Sequence, residues 1–274
     1  MSLDWLYSFD ELRAYSLDTK QGKARLETLL KQLPSILDAA GVRLSQRPRV
    51  LCLMAGSCIE GIAFAQLYNA EVFCLDLQKG LLAKGEKEAR RRKLALRTIV
   101  GNVKEFARHV EGRFDLITIM GSPLAHLNIY DFDEVLAQVR KLLAKKGFFL
   151  IDQTDMVFRI IPQYRDAFVP NLRPPVLNVH YGFNPREGYF ERLYYSRSRH
   201  ETVKVYLWTP WVIEYMLKKK RIWKGRSQSI CGYVHCTADP SLHDDSVSYH
   251  CLSERSLTDV VCRRGPLQCA QSFE

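Results

Sequence analysis

No stretch of the 274 residues approaches the ~18 uninterrupted apolar residues of a membrane-crossing helix. The opening "MSLDWLYSFDELRAYS" lacks the basic start of a secretory signal and carries acids among its apolar residues. Both absences point to a cytoplasmic protein with no membrane partner. Cysteine is scarce in the body of the chain. Of eight cysteines only Cys52, Cys58 and Cys74 precede residue 230, in apolar contexts where cysteine behaves as a small hydrophobe. A disulfide framework belongs to small secreted domains, so none is expected. Lysine vanishes after Lys224, and residues 239–274 show neither helical nor strand period, so they read as an irregular or disordered tail. Cys231, His235, Cys236, His243, His250 and Cys251 could be read as zinc ligands, but they match no familiar finger spacing. No metal is expected.

What is present is ordinary for a globular protein: 47% hydrophobic and 26% charged residues. The net charge of +10 is concentrated in "KGEKEARRRKLALR", "RKLLAKK" and "KKKRIWKGR". Each run reads as the solvated face of an outer helix, yet together they keep RNA in view as a partner.

Strand and helix patterns alternate from Pro48 onward. "RVLCLM", "EVFCLD", "RTIVGN", "FDLITIM" and "FFLID" read as five apolar strands. Between them lie helices over "IEGIAFAQLY", Leu81 to Lys93, "VKEFARHV" and "FDEVLAQVRKLLAKKG", the last with Asp131 as N-cap and Gly147 as stop. Near-continuous apolar strands in this alternation imply a doubly wound, mostly parallel α/β sheet of Rossmann-like type, with helices on both faces. Residues 1–46 read as a helical N-terminal cap and 47–238 as the main domain. Within it, "VLNVHYGF", "GYFERLYY" and "TVKVYLW" make inserted antiparallel strands at about 176–208. "TPWVIEYMLKK" is a further helix opened by Thr209 and Pro210, and "RSQSICGYV" reads as a last strand.

Ligands of such sheets sit beyond the carboxyl ends of the strands, beside strand one. There Gly56-Ser57-Cys58-Ile59-Glu60-Gly61 spells G-x-G-x-x-G with its middle glycine replaced. That glycine lets a pyrophosphate approach the backbone, so Cys58 disfavours a dinucleotide. A ligand presenting an amino-acid end asks less of the loop.

The segment from Val50 to Ile151 resembles a class I S-adenosylmethionine-dependent methyltransferase. "VLCLMAGSC" is similar to that family's glycine loop, with Cys52 in place of its acid and Met54 and Cys58 in place of glycines. The resemblance implies S-adenosylmethionine as cofactor, held by Met54, Ala55, Gly56, Ser57 and Cys58 of the loop. It places Asp76 at the ribose, with Leu77 beside it against the cofactor, Asn102 and Val103 near the adenine, and Met120, Gly121 and Ser122 along the cofactor. A helix N-cap is the alternative for Asp76, and an ordinary turn for Asn102. "MGSPLAHL" resembles the G-N-S-x-x-H-L segment of glycine N-methyltransferase-type enzymes.

Methyl transfer is an in-line displacement, so positioning matters most, and a base helps only a protonated nucleophile. His126, Tyr130 and Tyr181 are the catalytic candidates. Asp152 lies nearby, and Tyr7 and Tyr15 could close over the cofactor. The resemblance implies methyl transfer, with a small-molecule acceptor favoured. An RNA methyltransferase and a non-catalytic scaffold are the alternatives, and the oligomeric state stays open.

Overall fold

The structure is a computed structural model that describes residues 15–156, 165–172, 174–197, 199–222, 227–230 and 233–238. Five strands in chain order, β1 Arg49–Leu53, β2 Glu71–Asp76, β3 Leu96–Val100, β4 Phe114–Ile119 and β5 Leu143–Thr154, form a parallel sheet. Helices α1 Lys20–Ala39, α2 Ile59–Tyr68, α3 Lys79–Arg91 and α4 Ile129–Leu142 cover it. The strand order 3-2-1-4-5 reverses beside β1, which leaves a crevice at its carboxyl end.

Alternation along β1 divides two cores. Val50 and Cys52 join a cluster with Leu26, Leu33 and Leu37 of α1 and with Ile62 and Phe64 of α2. Leu51 and Leu53 join Phe132, Val135 and Val139 of α4 on the other face. Both faces of the strand are therefore dry, which is why its sequence shows no polar alternation. The leucines of α1 tie that helix into the sheet's own packing.

Beyond β5 the chain forms β6 Ala167–Leu172, β7 Pro175–Asn184, β8 Tyr189–Tyr195 and β9 His200–Tyr206, a second, antiparallel sheet. Three of these strands match expectation; β6 does not. It contains Pro170, which cannot donate to a ladder and is tolerated because β6 is an edge strand whose register slips between Phe168 and Asn171. The turn after β7 is held by Asn184, whose Oδ1 accepts from the N–H groups of Arg186 and Glu187. Helix α5, Pro210–Lys219, follows.

The expected single last strand is a hairpin instead, β10 Ser227–Ile230 and β11 Tyr233–Ala238. β11 runs antiparallel to β5, from Tyr233 opposite Thr154 to Ala238 opposite Phe149.

Helix α4 also departs from expectation. Asn128 caps it by accepting from the Asp131 N–H at 2.7 Å, and Asp131 sits inside the first turn. The helix ends at Leu142 rather than Gly147, because Leu143 already pairs with Phe114. An irregular step follows before Phe148 pairs with Leu116, and Gly147 lies so close to the Phe114 carbonyl that a Cβ would come within 2.8 Å of it.

Candidate functional site

The turn after β1 is assembled by its neighbours. Leu53 lies opposite Leu75, so Asp76 ends β2 level with the loop that begins at Met54. Ala55 N–H donates to the Leu75 carbonyl, and Cys58 N–H closes the turn onto the Ala55 carbonyl. Asp76 uses both oxygens: Oδ2 accepts from Gly56 N–H and Oδ1 from Gln78 N–H, each at 2.8 Å. The same carboxylate thus braces the loop and starts α3. Each oxygen keeps a second lone pair for a ligand hydroxyl.

Three residues of this loop are left-handed: Met54 (φ 54°), Gly56 (φ 51°) and Cys58 (φ 61°). Only Gly56 adopts that conformation without a Cβ penalty. The two replaced glycines have therefore kept the glycine backbone. Cys58 does not block the cleft, contrary to the obstruction its sequence position suggests. Its side chain is fully buried and turned toward α3, where a Cβ on Gly85 would lie 2.7 Å from its Sγ. Cys52, Cys58 and Cys74 form one buried thiol cluster, and burial, with the two neighbouring thiols adding, pushes Cys74 well above the ordinary thiol range.

The N-terminal segment lies directly on this loop. Ser57 Oγ donates to the Tyr15 carbonyl at 2.7 Å and accepts from Leu17 N–H at 3.2 Å. Arg25 of α1 pairs with Glu60 at 2.8 Å and stacks over the Tyr15 ring. It also approaches the post-β4 loop, since a Cβ on Gly121 would stand 3.0 Å from its Nη2. Burial works against the guanidinium charge, but Glu60, helped by Tyr15 and Asp152, outweighs it and raises the pKa. Arg25 was missed in the sequence because one arginine in an amphipathic helix resembles any other.

The loop after β4 is stapled to β5. Gly121 N–H donates to Asp152 Oδ2, Ser122 N–H to the Asp152 carbonyl, and Ser122 Oγ joins Thr154 Oγ1 at 2.8 Å. His126 ends the short 3-10 helix Pro123–His126. It is open to solvent yet crowded by protein, and this desolvation lowers its pKa while Asp76 pulls upward. A neutral imidazole within electrostatic reach of Asp76 is available as a proton acceptor.

The remaining candidates divide clearly. Val103 and Met120 are packed into the core, so only their backbone can face a ligand, as for Cys58. Leu77 at the end of β2 and Val100 at the end of β3 are exposed apolar surface beside Asp76. Asn102 Oδ1 caps the 3-10 helix Val103–Arg108 by accepting from Lys104 N–H, the turn role weighed for it above. Tyr130, in the first turn of α4, is 77% exposed, and Tyr181, at the irregular step of β7, is 66% exposed. Neither has a described partner joining it to His126. Tyr7 and the tail fall outside the described residues, as do the side chains of all the zinc candidates.

The antiparallel sheet reaches this crevice. β9 packs against the Pro123–His126 helix, and Trp208 Nε1 donates to the Leu127 carbonyl at 3.0 Å. The arginines of the first basic run are paired locally. On α3, Arg90 pairs with Glu86, and Arg91 and Arg92 share Glu88. Glu88 is pulled down to about 2 by the Arg91 hydrogen bond, with Arg92 adding and burial opposing. Among the described residues no group of three or more side chains is placed to hold a metal ion, and no helix is long and apolar enough to cross a membrane.

Residues 50–147 match the family model described as a methyltransferase domain. No curated protein sequence matches the chain. Among solved structures, a Pyrococcus horikoshii OT3 protein superposes with a TM-score of 0.64 at 18% identity, over 86% of this chain and 99% of its own. An S-adenosylmethionine-dependent methyltransferase from Clostridium acetobutylicum ATCC 824 follows with TM-score 0.62 and 12% identity, over 86% and 97%. CalS10, an amino pentose methyltransferase from Micromonospora echinaspora whose structure holds the cofactor, gives 0.53 and 15%, over 80% and 91%. These likenesses are likenesses of fold.

Proposed function

We infer that this chain, which carries a class I methyltransferase domain, transfers methyl groups from S-adenosylmethionine to a small-molecule acceptor. The observation that carries the reading is the loop at the end of β1. Its backbone is held open by Asp76, and Arg25 supplies a cation beside it. The residues fit the cofactor's three parts. Asp76 can accept from ribose hydroxyls, and the exposed Leu77 and Val100 offer apolar surface to an adenine. Arg25 and the N-terminus of α2 suit a carboxylate.

The cofactor supplies an electrophilic methyl group, so the chain needs to hold a nucleophile in line with it and keep water away. Strands β7 to β9, dense in tyrosine and phenylalanine, make the wall on the acceptor side. His126 takes a proton from an acceptor that arrives protonated. A small acceptor is favoured by that wall, by the amino pentose chemistry of one structural neighbour, and by the local pairing of the α3 arginines.

Calorimetry tests the reading. S-adenosylhomocysteine should bind in the micromolar range or tighter, and Arg25→Ala should weaken it at least about tenfold, the worth of one charge-assisted hydrogen bond. 5′-Methylthioadenosine lacks the amino-acid end and should bind parent and variant alike, which also verifies the variant's fold. Failure of the parent to bind either ligand would remove the reading. With labelled cofactor and a fractionated extract, label should enter small metabolites; label in tRNA or rRNA would favour an RNA acceptor instead.

A further inference from the structure

The 3-10 helix Val103–Arg108 is not one continuous coil. Glu105 within it stands at φ −131° and ψ 26°, outside helical geometry, so two short turns meet there at a kink. In an unbroken 3-10 helix the Ala107 N–H would donate to the Lys104 carbonyl, three residues back. The side chain of Gln138, from α4, comes between them. Its Oε1 accepts from the Ala107 N–H at 2.9 Å, and its Nε2 donates to the Lys104 carbonyl. One side-chain amide links the two groups that such a bond would join directly, and an insertion of this kind bends a helix. Nε2 also donates to the Glu134 carbonyl of its own helix at 3.4 Å, which holds the plane of the amide.

The first of the two turns belongs to the candidate site. Val100 lies opposite Asp76, and the Gly101 N–H donates to the Asp76 carbonyl at 3.0 Å. The peptide groups of Gly101 to Val103 therefore border the exposed Val100, part of the apolar surface suited to an adenine. Asn102 Oδ1 occupies the Lys104 N–H, while the Val103 N–H opens the helix and has no acceptor inside it. Phe106 of the second turn is fully buried in the core that α4 shares, so this turn is anchored. The Val103 side chain enters the same core, and what the kink decides is the direction of its N–H. A second tie between the two elements, the Lys104–Asp131 ion pair at 3.3 Å, lies toward solvent and holds little.

We propose that Gln138 is a positioning residue for base recognition: it fixes the turn Gly101–Val103 so that the site selects an adenine ring over other purines. Adenine presents an unprotonated ring nitrogen as acceptor where hypoxanthine carries an N–H, so a backbone N–H held in one direction tells them apart. Without the Gln138 amide, the Ala107 N–H and the Lys104 carbonyl are free to close on each other. The kink then straightens and the Val103 N–H swings out of line. Gln138 acts through that turn and touches no ligand itself. This rests on the methyltransferase reading above, and the test separates the two.

Calorimetry on the full chain with S-adenosylhomocysteine and S-inosylhomocysteine, which differ only in the purine, reads this selection. The parent should prefer the adenine ligand by at least about tenfold, the worth of one well-placed hydrogen bond. Gln138→Met removes both side-chain bonds and keeps the length of the side chain. It should lose most of that preference through weaker S-adenosylhomocysteine binding, with S-inosylhomocysteine affinity held to within about twofold. Gln138→Glu keeps the acceptor for Ala107 but not the donor, and should fall between the two. Asp131→Asn cuts the outer tie and should leave the preference as it is in the parent. A variant that merely loosens the fold would weaken both ligands alike, so an equal loss for the two would overturn the assignment. So would an unchanged preference in Gln138→Met, a parent that does not distinguish the ligands, or an Asp131→Asn protein that loses the preference as fully. Each of these leaves the methyltransferase reading standing. Failure of both Gln138 variants to fold would make the residue a structural one and overturn the assignment equally. A parent that binds neither ligand would remove both readings.

Discussion

His126 shows how one residue can be legible in type and illegible in state. A histidine two residues after Leu124 is visible in the sequence; the crowding that lowers its pKa comes from the packed chain. The consequence for stability has a definite sign. The folded protein resists protonating His126, so the unfolded chain takes the proton first as pH falls below the ordinary value of 6.5. The stabilising contribution is intact above that value and is lost as pH falls through the lowered folded one. Chemical denaturation from pH 8 to pH 5 should therefore show the parent losing more stability than His126→Asn. Equal losses in the two proteins would mean that the imidazole is not desolvated in the fold. The same distinction applies to Asp76. Its position at the end of a strand is a sequence property, but only the register of β2 against β1 brings its Oδ2 to Gly56 N–H.

Helix α3 carries two glycines that the sequence cannot tell apart. Gly80 faces open space, whereas a Cβ on Gly85 would lie 2.5 Å from the Ser57 carbonyl and 2.7 Å from Cys58. Gly85 is thus the point at which α3 seats against the back of the loop after β1. Gly80→Ala should stabilise the protein by roughly 0.5–1 kcal/mol through helix propensity. Gly85→Ala gains the same propensity but must displace backbone, and overpacking of this kind costs about 1–3 kcal/mol. Urea titration should give opposite signs for the two, and Gly85→Ala should also weaken S-adenosylhomocysteine binding. Stabilisation by both would show that α3 and the loop are not in tight register. The elements were legible where the hydrophobic period was strong, as in α2 and β2, whose bounds agree with the reading of the sequence. β6 was not, because Pro170 and a register slip remove the strand period that would announce it.

At the scale of the whole molecule, the net charge of +10 invites a polyanion, but geometry spends part of it locally. Arg90, Arg91, Arg92, Arg108, Arg199, Lys104 and Lys220 all form ion pairs within the protein. A polyanion would have to compete with those carboxylates. Binding to a mixed tRNA preparation should therefore be weak and unselective at low salt, with a shallow dependence of log affinity on log salt. A site engaging several phosphates would give a slope near −0.7 to −0.9 per phosphate. A steep slope together with saturable binding to one RNA would promote RNA from the alternative to first place among acceptors.

The sequence by itself determined the order of the five parallel strands and of the helices between them, and hence the crevice beside β1. Those follow from apolar periodicity and from the handedness of crossovers, which are local or general. Tertiary structure alone decided what each side chain does there. It turned Cys58 inward and brought Arg25 from α1 to within reach of Gly121. Contacts between residues dozens of positions apart depend on helix seating and strand register to within an ångström or two. No spacing in a linear sequence encodes that precision.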